Sequence, residues 1–123
     1  MKKLIIVFIL LFVSVSCSQK TNSKAPKPLL SEKEMVAIIA DVQIIEAMLN
    51  QRKAQERKEG SPLPEYSGIT KEYYGQLFEH YGITDSIFVE NMKYYTEQPA
   101  VMERIMDSVT QRLTREQSTS STQ

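Results

Sequence analysis

The stretch SEKEMVAIIADVQIIEAML, residues 31–49, decides the fold because it carries the strongest helical pattern in the chain. Ser31 and Glu34 have the spacing of a capping box, in which each side chain accepts a hydrogen bond from the other's backbone amide as a helix begins. The apolar residues that follow recur every three or four positions, as on a helix with one face in a core: Met35, Ile38, Ile39, Val42, Ile45 and Leu49. We predict a long helix that ends at Gly60.

Three shorter amphipathic segments follow a loop at residues 61–68. Thr70 is predicted to cap the first of them and Gly82 to end it, Thr84 to cap the second, and Pro99 to stand in the first turn of the third. Each has an apolar stripe of helical period: Tyr73, Tyr74, Leu77, Phe78 and Tyr81; Ile87, Phe88, Met92, Tyr94 and Tyr95; and Val101, Met102, Ile105, Met106, Val109 and Leu113. The predicted fold class is therefore all-α, a small bundle of about four helices in which three shorter helices fold back on one long N-terminal helix.

The beginning of the chain has the layout of a lipoprotein-type signal peptide, residues 1–17, ending at a lipobox cysteine. Two lysines precede an apolar run, residues 4–13, that is shorter than the ~20 residues of a membrane-spanning helix. Cys17 is the single cysteine of the chain and stands where signal cleavage would fall. We therefore predict that Cys17 carries the lipid, with acyl chains such as palmitate, and attaches the mature protein to a membrane.

Two alternatives to lipidation stay open, because Ser14 stands where the usual lipobox has leucine. The first is an ordinary signal peptide cut near Ser16 or Ser18, which leaves an exported thiol without a disulfide partner or removes it. The second is an N-terminal membrane anchor that is not cleaved. Lipidation explains the unpaired cysteine, which the first alternative does not.

The mature chain divides into three parts by composition. Residues 18–30 are polar and rich in lysine and proline, so we predict a flexible tether. Residues 31–113 form the helical domain, and the polar residues 114–123 are predicted to be a disordered tail. The whole chain holds 15 basic and 15 acidic residues, and the signal peptide takes two of the lysines. Such a balance leaves no basic excess for phosphate groups, which argues against a nucleic-acid partner.

Two polar residues project onto apolar helix faces. Glu46 falls within the arc of the first helix that Met35, Ile39 and Val42 define, and Asn91 falls within the apolar face of the third helix. A buried carboxylate or amide without a partner would cost on the order of several kcal/mol. We therefore predict a polar node inside the bundle in which Glu46 meets Asn91 or the hydroxyls of Tyr94 and Tyr95. The node either fixes the register of the helices or contacts a ligand or partner.

Residues suited to catalysis or metal binding are few. His80 is the only histidine, and neither a cysteine pair nor a second histidine accompanies it, so no metal site is predicted. Asp85 and Ser86 are explained by capping and the helix dipole. An enzyme would need Glu46 and Asp41, with or without His80, to converge in one cleft, and no catalytic motif accompanies them.

The chain resembles the domain of unknown function 4296 family of small Bacteroidota lipoproteins. The resemblance covers most of the mature chain, and its residues are these: Leu29-Leu30, Met35-Val36, Ile39-Ala40-Asp41, Glu46-Ala47, Tyr81-Gly82-Ile83-Thr84, Phe88, Tyr94-Tyr95, Pro99 and the run 105–113. It implies a lipid-anchored helical protein, and it implies no activity.

From these features we expect a lipid-anchored cell-envelope protein, facing the periplasm, whose non-enzymatic bundle binds a protein or peptide partner. We expect neither a cofactor nor a metal. The first alternative is a soluble or anchored periplasmic binder of a small apolar ligand, which requires a pocket of roughly 300 Å³ or more between the helices. The second is an enzyme that uses Glu46 and Asp41.

Overall fold

The computed structural model describes residues 24–59 and 66–121. These residues form four α-helices and no strand: α1 Glu32–Glu59, α2 Tyr66–His80, α3 Asp85–Thr96 and α4 Pro99–Ser120. The predicted all-α bundle with a long N-terminal helix is confirmed. The signal peptide, Cys17, residues 18–23 of the tether and the predicted stop at Gly60 lie outside the described residues. Among the described helices, none is long and apolar enough to cross a membrane.

The first turn of α1 contains the predicted capping box. The Ser31 backbone amide donates to Glu34 Oε2 at 2.7 Å, and the Glu34 amide donates to Ser31 Oγ at 3.2 Å. The backbone hydrogen bond from Ser31, followed by that from its hydroxyl, lowers the pKa of Glu34. α1 then runs for 28 residues, about 42 Å at 1.5 Å per residue.

The side-chain pairs between helices define their directions. Glu32 pairs with Arg104 at 2.8 Å and Asp41 with Arg112 at 3.6 Å, so these contacts advance in the same direction along α1 and α4. The two helices are therefore parallel. Along α2 the contacts run in the opposite direction, because Asp41 meets Tyr81 whereas Glu46, further along α1, meets Tyr74. α2 is therefore antiparallel to α1.

The core lies between the first half of α1, α3 and the middle of α4. Its fully or nearly fully buried side chains are Leu30, Met35, Ile38, Ile39, Ala40, Tyr95, Ile105 and Val109. Phe78 of α2 and Phe88 of α3 close one side of it, with ring centroids 5.3 Å apart. Beyond residue 43, Leu49 is the one nearly fully buried side chain among the described residues of α1. The second half of α1 therefore extends past the main core.

The residues that end α2 and begin α3 and α4 were predicted correctly. Gly82 has φ of 65° and is the one described residue with positive φ, which suits the left-handed turn that ends a helix. Thr84 caps α3, with its hydroxyl accepting from the Ile87 amide at 3.3 Å. Pro99 stands in the first turn of α4, where its missing amide hydrogen removes no helical hydrogen bond.

Two predicted helix boundaries were wrong. α2 begins at Tyr66, so Thr70 lies inside the helix and does not cap it. Gly68 does not stop this helix, because a helical glycine costs only about 1 kcal/mol relative to alanine. The predicted tail also begins too early, since α4 continues from Leu113 to Ser120. There the hydroxyls of the polar side chains bond to carbonyls of the helix, as Thr114 does to the Thr110 carbonyl at 2.9 Å.

Candidate functional site

The end of the predicted tether is fixed to the bundle by two side chains of α3. Asn91 is fully buried. Its Oδ1 accepts from the Leu30 backbone amide at 2.8 Å, and its Nδ2 donates to the carbonyls of Pro28 at 3.0 Å and Ile87 at 2.9 Å. The Tyr95 hydroxyl donates to the Leu30 carbonyl at 2.5 Å. We call these four residues, Pro28, Leu30, Asn91 and Tyr95, the N-terminal clamp.

The N-terminal clamp corrects the tether prediction for residues 28–30. Leu30 is buried and its backbone is held on both sides, so the folded unit begins before Ser31. The reason is that Leu30 supplies an apolar side chain to the core, while the amide of Asn91 satisfies backbone groups that burial removes from water. Local composition does not reveal this, because the clamp joins residues 61 positions apart.

The predicted polar node joined Glu46 to Asn91 or to the hydroxyls of Tyr94 and Tyr95. Glu46 contacts none of these residues, so this part of the prediction was wrong. Its side chain is exposed and accepts a hydrogen bond from the Tyr74 hydroxyl. Residue 46 lies where α1 has passed the main core and packs beside α2, so the helical arc no longer faces the interior. Asn91 and Tyr95 are brought together in the N-terminal clamp. Tyr94 is half-buried, and its ring lies edge-on to Tyr95 at 5.3 Å.

A second polar cluster joins three helices around Asp41. The Tyr81 hydroxyl of α2 donates to Asp41 Oδ2 at 2.5 Å, and Arg112 of α4 lies 3.6 Å from Asp41 Oδ1. Arg112 also pairs with Glu116 at 3.0 Å. Partial burial and the hydrogen bond to Asp41 raise the pKa of Tyr81 to about 12. We call Asp41, Tyr81, Arg112 and Glu116 the Asp41 cluster. Arg112 and Glu116 have the i, i+4 spacing of a helical ion pair, but sequence spacing gave no signal that joins them to Asp41 or Tyr81, which lie on two other helices.

The titratable residues considered for catalysis do not form a shared cleft. Asp41 and Glu46 each accept from a different tyrosine, Tyr81 and Tyr74. Burial and the hydrogen bond to Glu46 raise the pKa of Tyr74 to about 12. His80 is exposed, and its ring meets the edge of Tyr81 at 5.1 Å. Within the described ranges, no three histidine, cysteine, aspartate or glutamate side chains are grouped as a metal site would require.

Two exposed apolar side chains lie near the middle of α1. Ile44 and Met48, one turn apart, are 37% and 51% exposed. An open groove of about 570 Å³ lies between Ile44 and the end of α4, and its α4 side is formed by Leu113, Glu116, Gln117, Ser120 and Ser121. We call Ile44, Met48 and this groove the α1 surface. Sequence analysis missed this surface. Ile44 and Met48 are four positions apart and so share one side of α1, but the prediction considered only the longer apolar stripe of that helix.

A small cavity lies beside the α1 surface, between α1 and α2. Its volume is about 50 Å³, and it is lined by Ile45, Met48, Leu49, Arg52 and Tyr73. This is well below the roughly 300 Å³ that a small-molecule site usually offers. The adjoining groove is larger but lies open to solvent, which suits a protein segment better than a small apolar ligand.

The comparison with protein families identifies a match over residues 26–119, to the family described as domain of unknown function (DUF4296). The chain belongs to the DUF4296 family. The matched range starts before Pro28 and ends within the last turn of α4, so the DUF4296 unit includes the N-terminal clamp and is longer than the predicted 31–113. The comparisons with curated proteins and with solved structures found no match.

Proposed function

We propose that this chain is a lipid-anchored protein of the cell envelope, facing the periplasm, whose bundle binds a protein partner through the α1 surface without catalysing a reaction. The observation that carries the proposal is the exposure of Ile44 and Met48 beside an open groove between two helices. Ile44 lines this groove, and Met48 is exposed one turn further along α1. Exposed apolar side chains beside a groove are typical of surfaces that accept a helical segment. The rim is formed largely by polar side chains of α4, as in many protein interfaces.

The lipid anchor in this proposal rests on the sequence around Cys17. Buried acyl chains contribute about 0.8 kcal/mol per CH₂ group, so a protein with several chains stays on the membrane. Ten residues separate Cys17 from Pro28 of the N-terminal clamp, and a chain of that length spans at most about 40 Å. Because the clamp fixes Pro28 near the start of α1, Ile44 and Met48 would lie about 20 Å along α1 from the anchored end of the bundle.

The arrangement of polar residues supports a binding role over catalysis. The carboxylates of Asp41 and Glu46 are each occupied by a tyrosine hydroxyl, and both lie beside α2. A general acid or base must reach a substrate proton within hydrogen-bond distance. The 50 Å³ cavity does not favour a small-ligand binder either.

The anchor is tested by metabolic labelling of cells with an alkyne analogue of palmitate. The unaltered chain is expected to take up the label and to fractionate with membranes. The Cys17→Ser variant is expected to lose both properties, whereas Ser16→Ala should keep them. A labelled Cys17→Ser variant would contradict lipidation at this residue.

The binding surface is tested by photo-crosslinking in living cells. A benzophenone amino acid is placed at position 48, and, as a matched control, at Val89, which is 63% exposed on α3. We expect discrete protein adducts from position 48, several-fold more abundant than those from position 89. Equal yields at the two positions, or no adduct at position 48, would contradict a specific surface on α1.

A further inference from the structure

We propose that the protein on the α1 surface is a second copy of this chain, with the two α1 helices antiparallel about a twofold axis. This inference rests on the proposed function and names the partner of the same surface. Three features of α1 lead to it: the position of the exposed apolar side chains, the distribution of charge along the helix, and the thin packing of its second half.

The exposed apolar side chains lie at the middle of the helix. α1 runs from Glu32 to Glu59, and Ile44 and Met48 flank its midpoint. A twofold interface uses the same patch on both subunits, so the patch must be complementary to itself. An axis through the middle of α1 places Ile44 of one copy against Met48 of the other and aligns the two helices along their full length.

The charges along α1 favour the antiparallel orientation. Ile44 and Met48 form an apolar strip on α1. Before this strip, residues 32–43 hold three acids and one lysine, a net charge of −2; after it, residues 49–59 hold four bases and two acids, a net charge of +2. Within one chain, Glu32 and Asp41 also pair with Arg104 and Arg112 of α4. Antiparallel pairing places each acidic half of α1 beside a basic half, and the helix dipoles also oppose one another. Parallel pairing would place like charges together, so the pattern selects an orientation even where it contributes little affinity.

The second half of α1 has little to pack against within one chain. In the described residues of that half, Leu49 is the one nearly fully buried side chain. The cavity between the two helices is lined by Met48 and Tyr73 among others. A pair of helices gains most burial from a second pair, which completes a four-helix arrangement. A second copy supplies such a pair with matching length.

The experiment uses the full chain in cells, in two versions with different epitope tags. A short bismaleimide is applied to the Met48→Cys variant, to Val89→Cys as the control, and to the unaltered chain as the Cys17 background. We expect an adduct that carries both tags from Met48→Cys, several-fold above both comparisons. Met48 is 51% exposed, so its replacement is expected to leave the fold intact.

The outcomes distinguish a second copy of this chain on the α1 surface from a different protein partner there. Adducts of Met48→Cys with another protein and not with a second copy would overturn this inference and leave the proposed function standing. The absence of any protein adduct, with this reagent and with the photo-crosslinker, would overturn both. Adducts that carry both tags support the second copy.

The orientation is tested with one residue from each end of the strip. Ala37 and Gln55 lie two turns before Ile44 and two turns after Met48, on the same line along α1. We expect Ala37→Cys in one copy to crosslink with Gln55→Cys in the other more than Gln55→Cys crosslinks with itself. A dominant product from Gln55→Cys alone would contradict the antiparallel pairing.

Discussion

At the scale of single residues, Asn91 fixes the start of the folded unit to α3. Its one amide group satisfies the Leu30 amide and the Pro28 carbonyl from another part of the chain, together with the Ile87 carbonyl of its own helix. Removing it would leave the buried Leu30 amide without its partner, which costs more than the loss of an exposed hydrogen bond.

Asn91→Ala is therefore expected to lower the free energy of unfolding by about 2–3 kcal/mol, because it leaves the buried Leu30 amide unsatisfied and creates a cavity. The measurement is urea unfolding followed by circular dichroism. Asn50→Ala, at an exposed position of α1, is the matched control and should change stability by no more than about 0.5 kcal/mol. Equal effects of the two substitutions would contradict the buried clamp.

The ionisation of Tyr81 is expected to lower the stability of the fold at alkaline pH. Its pKa is raised to about 12 by partial burial and by the hydrogen bond to Asp41, whereas an unfolded tyrosine has a pKa of about 10. The fold favours the neutral phenol, so this contribution is complete below pH ~10 and is lost as the pH rises towards ~12.

Tyr81→Phe should therefore weaken the loss of stability between pH 10 and 12, as measured by urea midpoints. Tyr94→Phe is the control, because the Tyr94 hydroxyl makes no hydrogen bond within the described part of the chain. If Tyr81→Phe and the unaltered protein lost stability with the same slope, Tyr81 would not be held by Asp41.

At the scale of helices and turns, replacing two glycines by alanine is expected to change the stability in opposite directions. Gly82 has φ of 65°, a conformation that costs a residue with a Cβ about 1–2 kcal/mol. Gly75 lies inside α2, where an added Cβ would meet nothing within 4 Å.

Gly82→Ala is expected to destabilise the protein by about 1 kcal/mol, and Gly75→Ala to stabilise it by about 0.5–1 kcal/mol. Thermal unfolding of the two variants in parallel gives the measurement. Shifts of the melting temperature in the same direction would contradict the positions assigned to these glycines.

The boundaries of elements were predictable where local chemistry determines them. The capping box at Ser31, the cap at Thr84 and the turn at Gly82 each depend on residues within four positions of one another. Thr70 shows the limit, because a threonine followed by helix formers also fits the interior of a helix that began earlier. The polar end of α4 shows another, since polar composition indicates exposure and does not exclude a helix.

The candidate sites were less predictable, because they depend on contacts between distant residues. Glu46 has the angular position of a core residue on an ideal helix, but α1 has left the main core at that point. The Asp41 cluster likewise joins Tyr81 and Arg112 from two other helices. Helical periodicity says which residues share a face, and it does not say how far along the helix a neighbouring element covers that face.

At the scale of the whole molecule, the parallel packing of α1 and α4 gives the bundle two different ends. The N-terminal clamp lies at the end where both helices begin. The apolar strip lies further along α1, at its midpoint, where Ile44 borders α4 and Met48 borders α2. A bundle anchored through residues before Pro28 would thus carry Ile44 and Met48 about 20 Å along α1 from its anchored end.

The most direct test of this account is the accessibility of the α1 surface in native membranes. Met48→Cys and Val89→Cys are compared by their rates of reaction with a maleimide, since Met48 and Val89 are 51% and 63% exposed in the isolated fold. We predict that Met48→Cys reacts several-fold more slowly in native membranes, and that the two rates become similar once detergent separates the partners. Equal rates in native membranes would contradict a partner on the α1 surface.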